Sequence, residues 1–275
     1  MFVETVWEVF AGVYGAMLGS FLNVCVYRLP RNESVIRPRS RCPSCGTSIA
    51  WYDNVPLVSW LALRARCRHC RASISVRYPL VELAVALIWA GSVAVAGITT
   101  EALVAAVFLT LLLGIALTDG RHYVIPDLFS LGGLALGLVF AFLPSDRSWY
   151  LAPLGAALGY GLLWVVRAVG DAALRRGLIG GKELDTVLEE GEQPTTMGEG
   201  DLRMMAMVGA FLGPAGVLLT VFLGALVGSV VFLPLRLAGK HIAVPFGVFL
   251  AAGAAVALVF GPGLVAWYTS TVLAL

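Results

Sequence analysis

The chain has 275 residues, of which 59% are hydrophobic and 13% charged, with a mean hydropathy of +0.87 and a formal net charge of +2. That charged share is about half of what a soluble domain carries, too little to cover a water-exposed surface, so a soluble globular fold is excluded and lipid must solvate much of the chain. The net charge itself says little; the positions of the charges say more.

A bilayer is crossed by roughly 20 mostly apolar residues, and about eight such stretches occur, near 6–28, 80–98, 101–118, 128–144, 150–169, 202–213, 215–237 and 245–272. The sequence therefore predicts an all-α, polytopic membrane protein. The sixth stretch is short, and the last is interrupted by Gly261, Pro262 and Gly263. Glu4 and Glu8 precede the first apolar run and Arg28 and Arg31 follow it, the reverse of a cleaved signal peptide, so it reads as a retained span. Lys and Arg near span ends stay cytoplasmic. With the N-terminus outside, the loops after spans one, three, five and seven and their flanks hold all of the 19 Lys and Arg residues except Arg147. Both termini are then outside. The organisation expected is a first transmembrane helix in 1–28, a cytoplasmic loop domain in 29–79, and a transmembrane domain in 80–275 with a cytoplasmic loop at about 171–200. That second loop carries Glu183, Asp185, Glu189, Glu190 and Glu192, a charge run of the kind usually solvated. No repeat at a fixed period is evident.

The first loop contains Cys42-Pro-Ser-Cys45 and Cys67-Arg-His-Cys70. Two C-x-x-C turns at this spacing each aim two sulfurs at one centre and fit a tetrahedral four-thiolate zinc site. In the cytoplasm disulfides rarely persist, and no thioredoxin-like pattern surrounds the pairs. Four thiolates complete the coordination sphere, so this zinc would be structural. His69 reads as a bystander and Cys25, within the first span, as a packed thiol.

Carboxylates within spans are costly and mark candidate functional sites. They are Glu82, Asp119, Asp127 and Asp201, with Asn23 as a polar companion. Asp119 closes span three and Asp201 opens span six, both at the cytoplasmic boundary on the topology above. Two carboxyls brought together share a proton, one acting as base toward water while the other donates to a scissile carbonyl. From spacing alone each could equally be a helix cap; Asp201 and Asp127 are both well placed for that.

Gly198-Glu-Gly-Asp201 resembles the G-x-G-D signature of intramembrane aspartic proteases. It is joined, in order, by Gly19-Ser-Phe-Leu-Asn-Val-Cys-Val-Tyr-Arg28, by the cysteine loop with Trp51-Tyr-Asp-Asn-Val-Pro-Leu-Val-Ser-Trp60, by Arg77-Tyr-Pro-Leu-Val-Glu82, and by Asp119 with Ile125-Pro-Asp127. Together, over about residues 10–250, these resemble the bacterial prepilin peptidases. The resemblance implies Asp119 and Asp201 as the catalytic pair, with Asp127 structural. It implies removal of basic leaders from type IV prepilins or type II secretion pseudopilins at the cytoplasmic face of the bacterial inner membrane. It also implies methylation of the new N-terminal residue with S-adenosylmethionine as donor, because the cysteine loop accompanies that activity in the family. Its partners would be those substrates and the lipid bilayer, with no nucleic acid; the oligomeric state stays open. Arg203 stands where the family usually has Lys. Glu82 and Asn23 are expected either to serve methyl transfer or to lock helices through polar contacts. No glycine-rich turn marks a site for the methyl donor.

Overall fold

The structure is a computed structural model that describes residues 2–144, 148–178, 195–237 and 245–271. The acidic run 183–192 therefore lies outside the described residues. The chain is helical, with helices α1 (Phe2–Arg28), α2 (Val58–Ala62), α3 (Arg77–Ala96), α4 (Thr100–His122), α5 (Asp127–Phe140), α6 (Leu151–Arg175), α7 (Glu199–Leu237) and α8 (Phe246–Thr271). Six of these are long and apolar enough to cross a membrane, and α5 is a shorter apolar helix. The protein is thus a multi-pass membrane protein. Its helices divide into two compact units, Met1–His122 and Tyr123–Leu275.

In the first unit α1 runs antiparallel to α3. Small residues set the approach: a Cβ added at Gly15 would lie 2.7 Å from the Val85 carbonyl oxygen, and one at Gly19 2.7 Å from the Glu82 Cα. Backbones this close need glycine, the device membrane helices use where lipid tails supply no hydrophobic drive for association. Asn23 Nδ2 donates to the Tyr78 carbonyl at 3.1 Å, and Trp89 Nε1 donates to Thr110 Oγ1 at 3.1 Å, fastening α1 to α3 and α3 to α4. Cys25 is a packed thiol, 2% exposed.

In the second unit α6 crosses α7 on Gly155 and Gly159, a small-xxx-small pair facing the backbones of Gly209 and Met205. A Cβ at Gly159 would stand 2.7 Å from the Met205 carbonyl carbon, and one at Gly209 2.7 Å from the Ala156 nitrogen. α8 packs against the later part of α7 through Gly253 and Gly224. α7 itself bends at Gly213, whose φ of 74° and ψ of −176° are non-helical. Pro214 follows; its ring disfavours the helical conformation at the preceding residue, and only glycine accepts this left-handed φ without strain. That bend falls at the last residue of the predicted stretch 202–213, just before 215–237 begins. Gly261-Pro262-Gly263, by contrast, does not interrupt the last helix, which runs on through Pro262 to Thr271. A proline in a membrane helix removes one backbone bond without breaking the helix when neighbours satisfy the freed group.

Candidate functional site

The cysteine loop belongs to the first unit. Its four sulfurs all lie within 4.8 Å of one another, with Cys42 and Cys70 Sγ 3.8 Å apart. Four sulfurs held at about 2.3 Å from a central zinc are separated by about 3.8 Å, so the cluster fits a tetrahedral ion with no open position. His69 is not among the clustered ligands. Each C-x-x-C is made by the same local structure. Cys42 N–H donates to the Thr47 carbonyl and Gly46 N–H to the Cys42 carbonyl; Cys67 N–H donates to Ala72 and Arg71 N–H to Cys67. Gly46 and Arg71 both take positive φ, 71° and 62°. The bridges Arg41–Ser48 and Arg66–Ser73 close the two turns identically. The two turns are thus built alike, Arg41-Cys-Pro-Ser-Cys-Gly-Thr-Ser-Ile49 on Arg66-Cys-Arg-His-Cys-Arg-Ala-Ser-Ile74.

Electrostatics at the sulfurs suits a cation. A hydrogen bond to Thr47 draws Cys45 down to about 6, and the backbone at Cys70 and His69 lowers Cys67. Cys70, although the Ala72 backbone stabilises its thiolate, is held up at about 11 by partial desolvation within the sulfur cluster and by its thiol neighbours. Adjacent thiolates repel, and a divalent ion lets all four ionise. Around the cluster Arg68 forks onto Asp53, Nε–Oδ2 2.7 Å and Nη2–Oδ1 2.6 Å, and Trp60 Nε1 donates to the Ile74 carbonyl at 3.1 Å.

Glu82 ties this loop to α3. It is buried in the helix, 9% exposed, and its Oε2 accepts the Leu57 N–H at 2.8 Å. Leu57 has φ 61° and ψ −50°, and Val58 N–H donates back to the Pro56 carbonyl at 2.6 Å. That is the strained form of the γ-turn, rare because it crowds the Cβ. Of the two roles expected for Glu82 and Asn23, these contacts serve the locking one: Asn23 binds backbone in the first turn of α3, and Glu82, on α3, binds backbone at the head of α2.

Asp119 lies in the last turn of α4 within the first unit, 6% exposed, next to Thr118, whose hydroxyl turns back onto the Gly114 and Ile115 carbonyls at 3.0 Å. Asp201 is in the second unit, the third residue of α7. It is not an N-cap, because α7 already begins at Glu199. Asp127 is not one either: Pro126 occupies the cap of α5 and Asp127 is the first helical residue. Its carboxylate instead meets Arg203, Nη1–Oδ1 2.5 Å, so the basic residue two positions after Asp201 holds an acidic group. The motif glycines have distinct surroundings. A Cβ at Gly200 would lie 2.9 Å from the Ile125 Cβ, whereas one at Gly198 would sit at an ordinary 3.6 Å from Asp201 Oδ2. The Ile-Pro-Asp and G-x-G-D segments thus pack against each other at the heads of α5 and α7.

Helices that cross a membrane, a four-cysteine cluster in the loop after the first of them, and a G-x-G-D segment opening a later one define the class: a polytopic membrane protein of the intramembrane peptidase kind. Residues 13–96 match the Bacterial Peptidase A24 N-terminal domain and residues 106–233 the Type IV leader peptidase family. The chain is 39% identical, over 86% of its length and 66% of the relative's, to the prepilin leader peptidase/N-methyltransferase of Myxococcus xanthus. It is 36% identical to the proteins of that name from Burkholderia pseudomallei, over 92% of this chain and 85% of the relative, and Pseudomonas aeruginosa, over 90% and 88%. No solved structure matches. The chain belongs to the type IV leader peptidase family, among the prepilin leader peptidase/N-methyltransferases.

Proposed function

We propose that the chain cleaves the leader peptide of type IV prepilins or type II secretion pseudopilins, with Asp119 and Asp201 as the acid–base pair, and then methylates the new N-terminal residue. The observation that carries this reading is the G-x-G-D segment at the head of α7 in a chain of this family. One carboxylate takes a proton from the attacking water while the other, protonated, donates to the scissile carbonyl; like charges at one site keep one of the two protonated. With no side chain at Gly198, an extended substrate would approach the backbone beside Asp201 more closely than at any other residue type. S-adenosylmethionine is the donor for the methyl step.

Zinc, held by Cys42, Cys45, Cys67 and Cys70, would organise the loop and take no part in hydrolysis. The distribution of Lys and Arg supports a bacterial inner-membrane protein with this loop and the aspartates on the cytoplasmic side and both termini outside. The leader's basic residues would then stay in the cytoplasm while the apolar segment behind them enters the bilayer.

The test is cleavage of a prepilin in membranes carrying the wild type, Asp119→Asn or Asp201→Asn, with mass spectrometry of the product. Each variant is expected to lose about a hundredfold or more of the rate, the scale of acid–base catalysis, and the wild-type product to carry one added methyl. Normal cutting by either variant removes that aspartate from the mechanism. Metal analysis of the purified protein checks the other site: one zinc per chain is expected, and its loss in Cys42→Ser.

A further inference from the structure

The two glycines beside Asp201 leave its segment short of conformational restraint. Gly198 and Gly200 flank Glu199, and glycine loses more conformational freedom on ordering than any other residue. The first turn of a helix has no preceding turn to bind its N–H groups and frays unless something outside holds it. In the second unit that something is the end of α6. Asp171 Oδ1 accepts both the Thr196 N–H at 2.7 Å and the Thr196 hydroxyl at 2.8 Å. The same hydroxyl lies 3.3 Å from the Arg167 carbonyl oxygen. Gly170 makes room for it: a Cβ there would stand 2.7 Å from Thr196 Oγ1. Arg167 then reaches both ways, its Nε 3.6 Å from Asp171 Oδ2 and its Nη1 on the carboxylate of Glu199, the middle residue of the motif. The Arg167 and Asp171 side chains are 20% and 16% exposed and form the inner side of the clamp, while the exposed Thr196 and Glu199 close it from the water side.

We propose that Asp171, acting with Arg167 through Thr196 and Glu199, is a positioning residue that fixes the G-x-G-D segment and so the direction of the Asp201 carboxyl. Thr196 and Glu199 are held five and two residues before Asp201, on either side of Gly198. The proposal rests on the reading of Asp201 as catalytic, and the clamp touches neither substrate nor reacting atoms.

The experiment compares Asp171→Ala, Asp171→Asn, Thr196→Val and the Asp171→Ala/Thr196→Val double variant of the full chain in prepilin cleavage, each beside a thermal unfolding scan and hydrogen exchange of the segment 196–203. A small displacement of a catalytic group costs up to about a hundredfold in rate. Asp171→Ala and Thr196→Val are each expected to lower kcat about tenfold with KM within about threefold. The double variant is expected to fall no further than either single one, because the two side chains form one contact. Asp171→Asn, which keeps an acceptor for the Thr196 N–H, recovers most of the rate, and exchange in 196–203 quickens in Asp171→Ala alone of these two. The proposal is overturned if Asp171→Ala cuts with wild-type kcat, if its loss merely tracks a loss of folded protein, or if the two single losses multiply in the double variant. Loss of activity in Asp201→Asn with full activity in Asp171→Ala rejects the clamp and leaves the catalytic reading standing; activity in Asp201→Asn rejects the catalytic reading first.

Discussion

Gly159 and Gly161 sit two residues apart in α6 and offer a matched pair of substitutions. Both would become alanine in the interior of one helix, and both would gain the same intrinsic propensity, about 1 kcal/mol. Their surroundings differ completely: nothing lies within 4 Å of a Cβ at Gly161, whereas a Cβ at Gly159 overlaps the Met205 carbonyl and stands 2.7 Å from its carbon. The obstacle is backbone, so trimming the Met205 side chain brings no relief and the helices must part. Overpacking of this kind costs about 1–3 kcal/mol, and because propensity cancels, the difference between the two variants isolates that cost. At about 3 °C per kcal/mol for a chain of this size, Gly159→Ala should melt about 3–9 °C below Gly161→Ala. Thermal unfolding in detergent, followed by loss of soluble protein or by tryptophan fluorescence, measures it. Since the displaced part of α7 carries Asp201, prepilin cleavage should fall about tenfold in the first variant and hold in the second. Equal melting temperatures, within about 1 °C, would refute the close α6–α7 approach and the reasoning built on it.

Two further outcomes follow from polar contacts. Glu82→Leu strands the Leu57 N–H in a strained turn, a loss of about 1–3 kcal/mol, and limited proteolysis should cut the loop 29–76 about tenfold faster, while Glu82→Gln, which keeps an acceptor, should stay near wild type. The Asp127–Arg203 pair is exposed, 61% and 36%, and such pairs contribute at most about 1 kcal/mol. Asp127→Asn or Arg203→Gln should therefore slow prepilin cleavage about two- to fivefold, and the exchange Asp127→Arg/Arg203→Asp should restore most of it; no recovery would mean that the two positions act separately.

What the sequence disclosed depended on range. A membrane span is a continuous apolar run, so the long helices were readable to within a few residues, and the division of the run after 202 into 202–213 and 215–237 fell where α7 bends at Gly213. Four cysteines in two tight turns announce their own convergence. The partners of Asp127, Glu82 and Asp171 could not be read in this way. Arg203 lies 76 residues from Asp127, Leu57 lies 25 from Glu82, and Thr196 lies 25 from Asp171. No periodicity links such positions. The local signal also misled: an Asp before an apolar run looks like a cap, but α5 takes Pro126 there and α7 starts two residues before Asp201. The Arg167–Asp171 spacing of four along a helix was visible, yet it suggests only a surface ion pair. Its use became apparent once Thr196 and Glu199 stood against it.

The shortness of α5 bears on where hydrolytic water comes from. Fourteen residues rise about 21 Å, against a hydrocarbon layer of roughly 30 Å. A deficit of about 9 Å cannot be stretched away; a bilayer meets it by thinning beside the helix or by letting headgroups sink toward its end. The head of α5 is the end that grips Gly200 and Arg203. Hydrophobic mismatch there would bring the aqueous boundary down to the G-x-G-D segment; with Asp201 catalytic as proposed, an enzyme embedded in lipid would need no channel to bring water to a peptide bond, only a place where the membrane is thin.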